Sequence, residues 1–104
     1  MERTRICDLN SQLDGKKVLL QGWVHELRNL KKIMFVLIRD QSGIVQTVAL
    51  EKKLGEATLK SIEKILPESV VNIEGEVKKN KEAKQGFEIV IEKLDVISDA
   101  APIP

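Results

Sequence analysis

From Lys17 onward the chain alternates with a period of two. Val18, Leu20, Gly22 and Val24 fall on one side, and Leu19, Gln21, Trp23 and His25 on the other. That period predicts a strand with two unlike faces, and a glycine inside it predicts a bulge or a sharp bend. Residues 33–40 (IMFVLIRD) and 44–50 (IVQTVAL) are β-rich runs joined by Gln41, Ser42 and Gly43. A short turn with a glycine available for φ > 0 makes 33–50 a hairpin. Over 55–66 the period lengthens: Leu59, Ile62 and Leu66 share one helical face, Lys60, Glu63 and Lys64 the other, and Pro67 stops the helix. Residues 69–78 return to strand, with Val71, Ile73 and Val77 alternating and Gly75 interrupting. A lysine-rich loop, 79–85, follows. In the last strand, 86–97, Phe87, Ile89 and Ile91 alternate with Glu88, Val90 and Glu92. Ahead of the first strand, residues 6–9 and 12–13 predict a short helical turn, and Asp14-Gly15 a reverse turn. The end, 100–104, reads as extended, because each proline disfavours helix in the residue before it.

The order is therefore β, β, β, α, β, β. A long, glycine-bent first strand and one helix between strands 3 and 4 predict an all-β fold with one helix, the five-stranded Greek-key barrel called the OB-fold, over residues 1–101. An SH3-like barrel is the rival, but it usually lacks a helix of this length at this point. In an OB-fold the face of strands 2 and 3, with the loops joining strands 1–2 and 4–5, binds oligonucleotides or oligosaccharides.

Charge sharpens that expectation. The net charge is +1, yet residues 28–32 hold three bases and no acid, and residues 78–85 four bases and one acid. These two stretches coincide with the two rims of the expected groove, so Arg28, Lys31, Lys32, Lys79 and Lys81 are candidate phosphate contacts. The remaining composition mainly excludes. At 104 residues there is room for one domain. A single Cys, Cys7, rules out a disulfide framework or a zinc cluster and fits a reducing, cytoplasmic setting. No apolar run approaches the roughly 18 residues of a membrane span, and the first residues are no signal peptide. Paired carboxylates in a cleft, a phosphate-cradling glycine-rich loop and a Cys-x-x-Cys pair are all missing, and His25, the one histidine, has no partners for metal binding. Nothing reads as catalytic.

Three residues read as binding chemistry. Phe35 shares one face of its strand with Leu37, while Met34, Val36 and Ile38 fill the other; a phenyl ring on an open OB face stacks an unpaired base, whereas on the closed face it is core. Gln46 is a lone amide among Val45, Thr47 and Val48, and an amide that donates and accepts suits a base edge as well as water. Glu88 is a carboxylate at a basic rim, either accepting from an exocyclic amino group or pairing with a neighbouring lysine. Arg39 and Asp40 either pair locally or face a ligand, and Trp23 is expected to pack against the barrel.

Together, Gly22-Trp23-Val24-His25-Glu26, Phe35-Val36-Leu37-Ile38-Arg39-Asp40, Gly43-Ile44-Val45-Gln46 and Gly86-Phe87-Glu88 closely resemble the N-terminal anticodon-binding domain of class II aspartyl-tRNA synthetases, above all the archaeal type. The likeness extends through residues 70–75 and Pro102-Ile103-Pro104. It implies that Phe35 stacks on the central anticodon uridine, that Gln46 hydrogen-bonds it, and that Glu88 reads the third base, a cytosine. It places His25 near the first base. In this family a His there goes with enzymes that also charge tRNA(Asn), whereas the Lys matching Lys84 goes with those restricted to tRNA(Asp), so the pattern is mixed. The resemblance implies tRNA as partner and no membrane. It implies no cofactor for this chain, with ATP and magnesium used by a catalytic domain beyond a hinge starting at 102–104. The stop at Pro104 is expected to be a cut at that hinge, leaving a monomer where the parent enzyme is a homodimer. Asparaginyl- and lysyl-tRNA synthetases share the fold and parts of the pattern. A sequence-tolerant single-strand binder and a protein-interaction barrel are the other readings.

Overall fold

The first strand, β1 (Lys17–Leu30), has 14 residues, long enough to serve two neighbours in turn. In the computed structural model, which describes residues 2–98, its first half pairs antiparallel with β4 (Val70–Lys79) and its second half with β2 (Ile33–Asp40). β2 continues into β3 (Gly43–Leu50), β3 runs parallel to β5 (Phe87–Ser98), and β5 returns along β4. The order β1-β2-β3-β5-β4 closes on itself, the predicted OB barrel. Residues 99–104, and with them the expected hinge, lie outside those described.

Alternation becomes inside and outside. Val18, Leu20 and Val24 of β1, Met34, Val36 and Ile38 of β2, Val45 and Ala49 of β3, Val71, Ile73 and Val77 of β4, and Phe87, Ile89 and Ile91 of β5 form one buried core. Burying each of these side chains, the small Ala49 apart, is worth about 1.5–3 kcal/mol, which is why one register prevails over its one-residue slip. Thr47 is a buried polar residue of this interior, and its hydroxyl donates to the Val36 carbonyl at 2.7 Å, so it is not left unpaired.

The bend in β1 does not come from a bulge at Gly22, which stays in register with Val71. The register shift lies between Val24 and Glu26, leaving His25 as the extra residue. Gly22 is needed for a different reason: a Cβ there would sit 2.4 Å from the carbonyl oxygen of Arg39, where β1 leaves β4 for β2. Gly75 does flank a register shift, and a Cβ there would lie 2.6 Å from the Val90 carbonyl oxygen. The glycines mark close backbone approach at the corners of the barrel.

Between β3 and β4 a single helical turn, α1 (Glu51–Leu54), precedes the helix proper, α2 (Glu56–Glu63). Gly55, at φ 90°, separates them. Leu59 and Ile62 enter the core as their spacing predicts. Leu66 does not; the helix has ended and its side chain is 56% exposed. The N-terminal segment forms 3-10 turns at Ile6–Asp8 and Ser11–Leu13, and Arg3 bridges to Leu19 on β1.

Candidate nucleic-acid interface

Residues opposite one another in a sheet share a face, so the pairing register sorts the outward side chains into rungs. One rung runs Arg28, Phe35, Val48, Val90, and the next Glu26, Leu37, Gln46. A third runs Trp23, Arg39, Ile44. Phe35 is therefore on the open face, half-buried, not in the core. It stands diagonal to Gln46, at the ~7–8 Å separation of diagonal neighbours on a sheet.

Gln46 and Glu88 meet across the parallel seam, with Gln46 Nε2 3.5 Å from Glu88 Oε2. At that length the contact orients more than it binds, and the Gln46 carbonyl oxygen stays open. Among the described residues Glu88 forms no ion pair, although Lys78 is its partner in the β4–β5 register. Thus an aromatic face, an amide and a carboxylate lie within one patch whose other members, Leu37, Val48 and Val90, are apolar. His25, pushed out by the bulge, is exposed at its β1 margin.

The rims differ from the expected pair of loops. β1 runs on to Leu30, so the first rim is only a two-residue turn at residues 31 and 32, with Lys31 at φ 56°. Arg28 sits on the strand, and its Nε donates to Glu26 Oε2 at 2.6 Å. Lys31 and Lys32 line a cleft of about 290 Å³ towards α2, with Glu51, Glu56 and Glu63 on its other walls. The second rim is a true loop, 80–86, tied by Asn80 N–H to the Gly86 carbonyl at 3.0 Å and by Gln85 Nε2 to the Ile44 carbonyl at 3.0 Å. Lys79, Lys81 and Lys84 are exposed along it.

Asp40 is not a ligand group. One carboxylate oxygen accepts from the Ser42 N–H and hydroxyl, both at 2.6 Å, and from the Gly43 N–H at 3.0 Å; the other accepts from the Ile6 N–H at 2.9 Å. Partial burial pushes its pKa up, but these hydrogen bonds, the Ser42 hydroxyl's first, outweigh that and hold it below the usual carboxylate value. The signal was legible: Asp two residues ahead of Ser, before a Gly, is an Asx turn. Trp23 lies half-buried on the outside of the barrel wall, beside Arg39. Among the described residues no group of three or more His, Cys, Asp or Glu side chains converges as metal ligands would.

Comparison with known proteins fits this geometry. The family model of the OB-fold nucleic acid binding domain, of the tRNA anticodon type, matches residues 18–97. The chain belongs to that family. The aspartate–tRNA(Asp/Asn) ligase of Methanocaldococcus jannaschii is 42% identical over 98 residues, covering 93% of this chain and 22% of the ligase. The aspartate–tRNA(Asp) ligase of Pyrococcus abyssi is 46% identical over 98 residues, with the same coverage. Asparaginyl-tRNA synthetase from Pyrococcus horikoshii, complexed with asparaginyl-adenylate, superposes with a TM-score of 0.90 at 39% identity, over 100% of this chain and 24% of that one. The chain thus spans about a quarter or less of the synthetases it matches. Both single- and dual-specificity ligases stand among its relatives.

Proposed function

We propose that this chain reads the anticodon of tRNA(Asp) for an aspartate–tRNA ligase. Phe35 supports the central base by stacking, worth about 1–3 kcal/mol and indifferent to base identity. Discrimination falls to Gln46: its open carbonyl oxygen accepts from a uridine N3–H while its amide donates to O4. A cytosine presents the reverse pattern and leaves both groups unpaired, a cost of about 1–3 kcal/mol. Glu88 accepts from a cytosine N4 amino group at the neighbouring base. Lys79, Lys81 and Lys84 hold the backbone from the loop side and Arg28, Lys31 and Lys32 from the tip of the β1–β2 hairpin. The single observation that carries the reading is the Gln46–Glu88 pair beside the Phe35 ring on one open face.

His25 leaves open space at the first anticodon base, as in a reader of both tRNA(Asp) and tRNA(Asn), while Lys84 argues for the restricted type. The parent ligase joins aspartate to tRNA with ATP and magnesium in its catalytic part, acts as a homodimer through that part, and works in the cytoplasm; this domain alone is a monomer that binds without catalysing. Among the described residues no helix is long and apolar enough to cross a membrane. The test is a titration of stem-loops carrying GUC, GUU and UUU into the unmodified chain and into Gln46→Ala, with a further GUC loop whose central U is replaced by C. Preference for GUC is expected, with a coupling of roughly 1 kcal/mol or more between Gln46 and the central base. Equal weakening of both centres by Gln46→Ala would assign the face to a sequence-tolerant binder instead.

A further inference from the structure

The rung of Trp23 and Arg39 is the last at which β1 and β2 are paired; before it β1 turns away towards β4. The wedge that opens is filled by the N-terminal segment. Thr4 N–H donates to the Leu19 carbonyl at 2.8 Å, and Ile6 and Cys7 donate to Asp40 and Ser42 of the β2–β3 turn. The filling is incomplete. A cleft of about 590 Å³ remains, walled by Arg3, Arg5, Gln21, Trp23 and the turn residues 40–42.

Its chemistry is unlike that of a packing defect. The Trp23 ring is half-buried, and its indole N–H has no partner among the described residues. Arg3 spends one donor on the Gln21 amide oxygen and Arg5 its Nε on Asp8 at 3.3 Å, which leaves most of each guanidinium unused. The one acid in the wall, Asp40, already has both oxygens engaged. Arg39, the partner of Trp23 in the β1–β2 register, has no ion pair or hydrogen bond of its side chain among the described residues. A flat aromatic wall and forked cations match a base and its phosphate. The cleft also continues the groove. From Phe35 to Arg39 along β2 is about 13–14 Å at 3.4 Å per residue, so the cleft lies one rung beyond the patch assigned to the triplet.

We propose that this cleft holds a fourth nucleotide of the same RNA strand, the one flanking the triplet on the β1 side, its base against Trp23 and its phosphate on Arg3 and Arg5. The inference rests on the reading of the open face given above. It makes the domain a reader of an extended strand whose outermost nucleotide is gripped without regard to sequence.

Trp23 is the chain's one tryptophan, so its fluorescence reports on the cleft alone. The probes are the trinucleotide GUC and a heptanucleotide with GUC at its centre, titrated into the unmodified chain, Arg3→Ala/Arg5→Ala, Phe35→Ala and Lys17→Ala/Lys93→Ala. The heptanucleotide is expected to bind at least about tenfold more tightly than the trinucleotide and to quench Trp23. Arg3→Ala/Arg5→Ala removes most of that gain and leaves trinucleotide binding unchanged. Lys17→Ala/Lys93→Ala, which removes two cations elsewhere, leaves the gain intact. Phe35→Ala weakens both RNAs alike. A gain that survives Arg3→Ala/Arg5→Ala, or a bound heptanucleotide that does not quench Trp23, overturns the cleft while the triplet reading stands. Failure of both RNAs to bind the unmodified chain overturns the two together.

Discussion

The barrel wears two outward faces, and they treat most of their polar groups differently. On the face of β4 and the first half of β1, charges are spent on one another. Lys17 bridges Glu92 and Glu76, Lys53 reaches Glu92 at 3.3 Å, and Lys78 lies 3.8 Å from Glu76. On the face of β2 and β3, by contrast, one ion pair, Arg28 with Glu26, lies at the β1 margin, while Arg39 and His25 have no such partners among the described residues, Gln46 and Glu88 have only each other, and half-buried Phe35 and Leu37 lie between them. A surface that needs only to stay soluble pairs its charges or hands them to water. A surface that sets an aromatic ring between unsatisfied donors and acceptors is arranged for a guest.

The largest effect expected belongs to neither face but to the corner joining them. Gly22→Val would force a side chain into the Arg39 backbone, which has no freedom to move aside. A loss of about 3 kcal/mol or more is expected in urea unfolding. Gly43→Ala, whose nearest neighbour is an Ile6 methyl at 3.4 Å, an ordinary van der Waals contact, should change little. Equal tolerance at both would mean that the two faces are not held apart by that corner.

Next in size is the contrast between the faces themselves. Phe35→Ala should cost about 1–3 kcal/mol of affinity for any single-stranded loop with little loss of stability. Glu92→Ala, on the paired face, should leave RNA affinity unchanged. A loss of RNA binding on Glu92→Ala would place the groove on the wrong side of the barrel.

Much of this was legible in the sequence. The period of two located all five strands, and the glycine-bent first strand with a helix after the third fixed their order. Phe35, Gln46 and Glu88 were singled out one by one along the chain, and the register sets them on one outward patch. What remained hidden was register, a property of pairs of strands. Nothing within 17–30 says that Val24 and Glu26 straddle a skip, so the bend was assigned to Gly22 and His25 was taken as an ordinary strand residue. Register also supplies what the sequence could not say of Trp23: its partner across the sheet is Arg39.

A smaller effect separates the two rims. If the 80–86 loop and its flank supply about three phosphate contacts, log K against log salt should fall with slope about −2, at roughly −0.7 per contact. Lys79→Glu/Lys81→Glu/Lys84→Glu should flatten that slope for every RNA alike. Lys31→Ala/Lys32→Ala should flatten it less, since acids of α2 and its approach share their cleft. Equal effects would restore the picture of two equivalent rims.

The smallest effect compares two carboxylates. Asp40 and Glu92 both titrate below their ordinary values. For Glu92 the first cause is the hydrogen bond from Lys17; for Asp40 partial burial works upward but is outweighed by hydrogen bonds from the turn. A lowered native pKa contributes stability above the unfolded value, near pH 4, and that contribution is lost as pH falls through the native value. The stability gap between the unmodified chain and Asp40→Asn should therefore hold at neutral pH, narrow below about pH 4, and persist in 1 M salt. The Glu92→Gln gap should fade in 1 M salt, where screening reaches about 3 Å. A salt-sensitive Asp40 gap would show that its turn is held by charge, not by directed hydrogen bonds.

The parallel seam between β3 and β5 joins the barrel by only two register pairs, Thr47 with Ile89 and Val48 with Val90. It brings together segments some forty residues apart, whereas the β2–β3 hairpin closes over a few. Loop-closure entropy makes such a contact late to form and early to open. Gln46 and Glu88 meet beside that seam, so the two groups to which the proposed reading gives the choice of base come together only when the barrel shuts. An incompletely closed chain still offers Phe35 for stacking but has lost its means of choosing. Amide hydrogen exchange should find the β3–β5 bonds opening before those of the hairpin. On that reading, selectivity is the first property the domain should surrender on warming and the last it should acquire on folding, with affinity outlasting it at both ends.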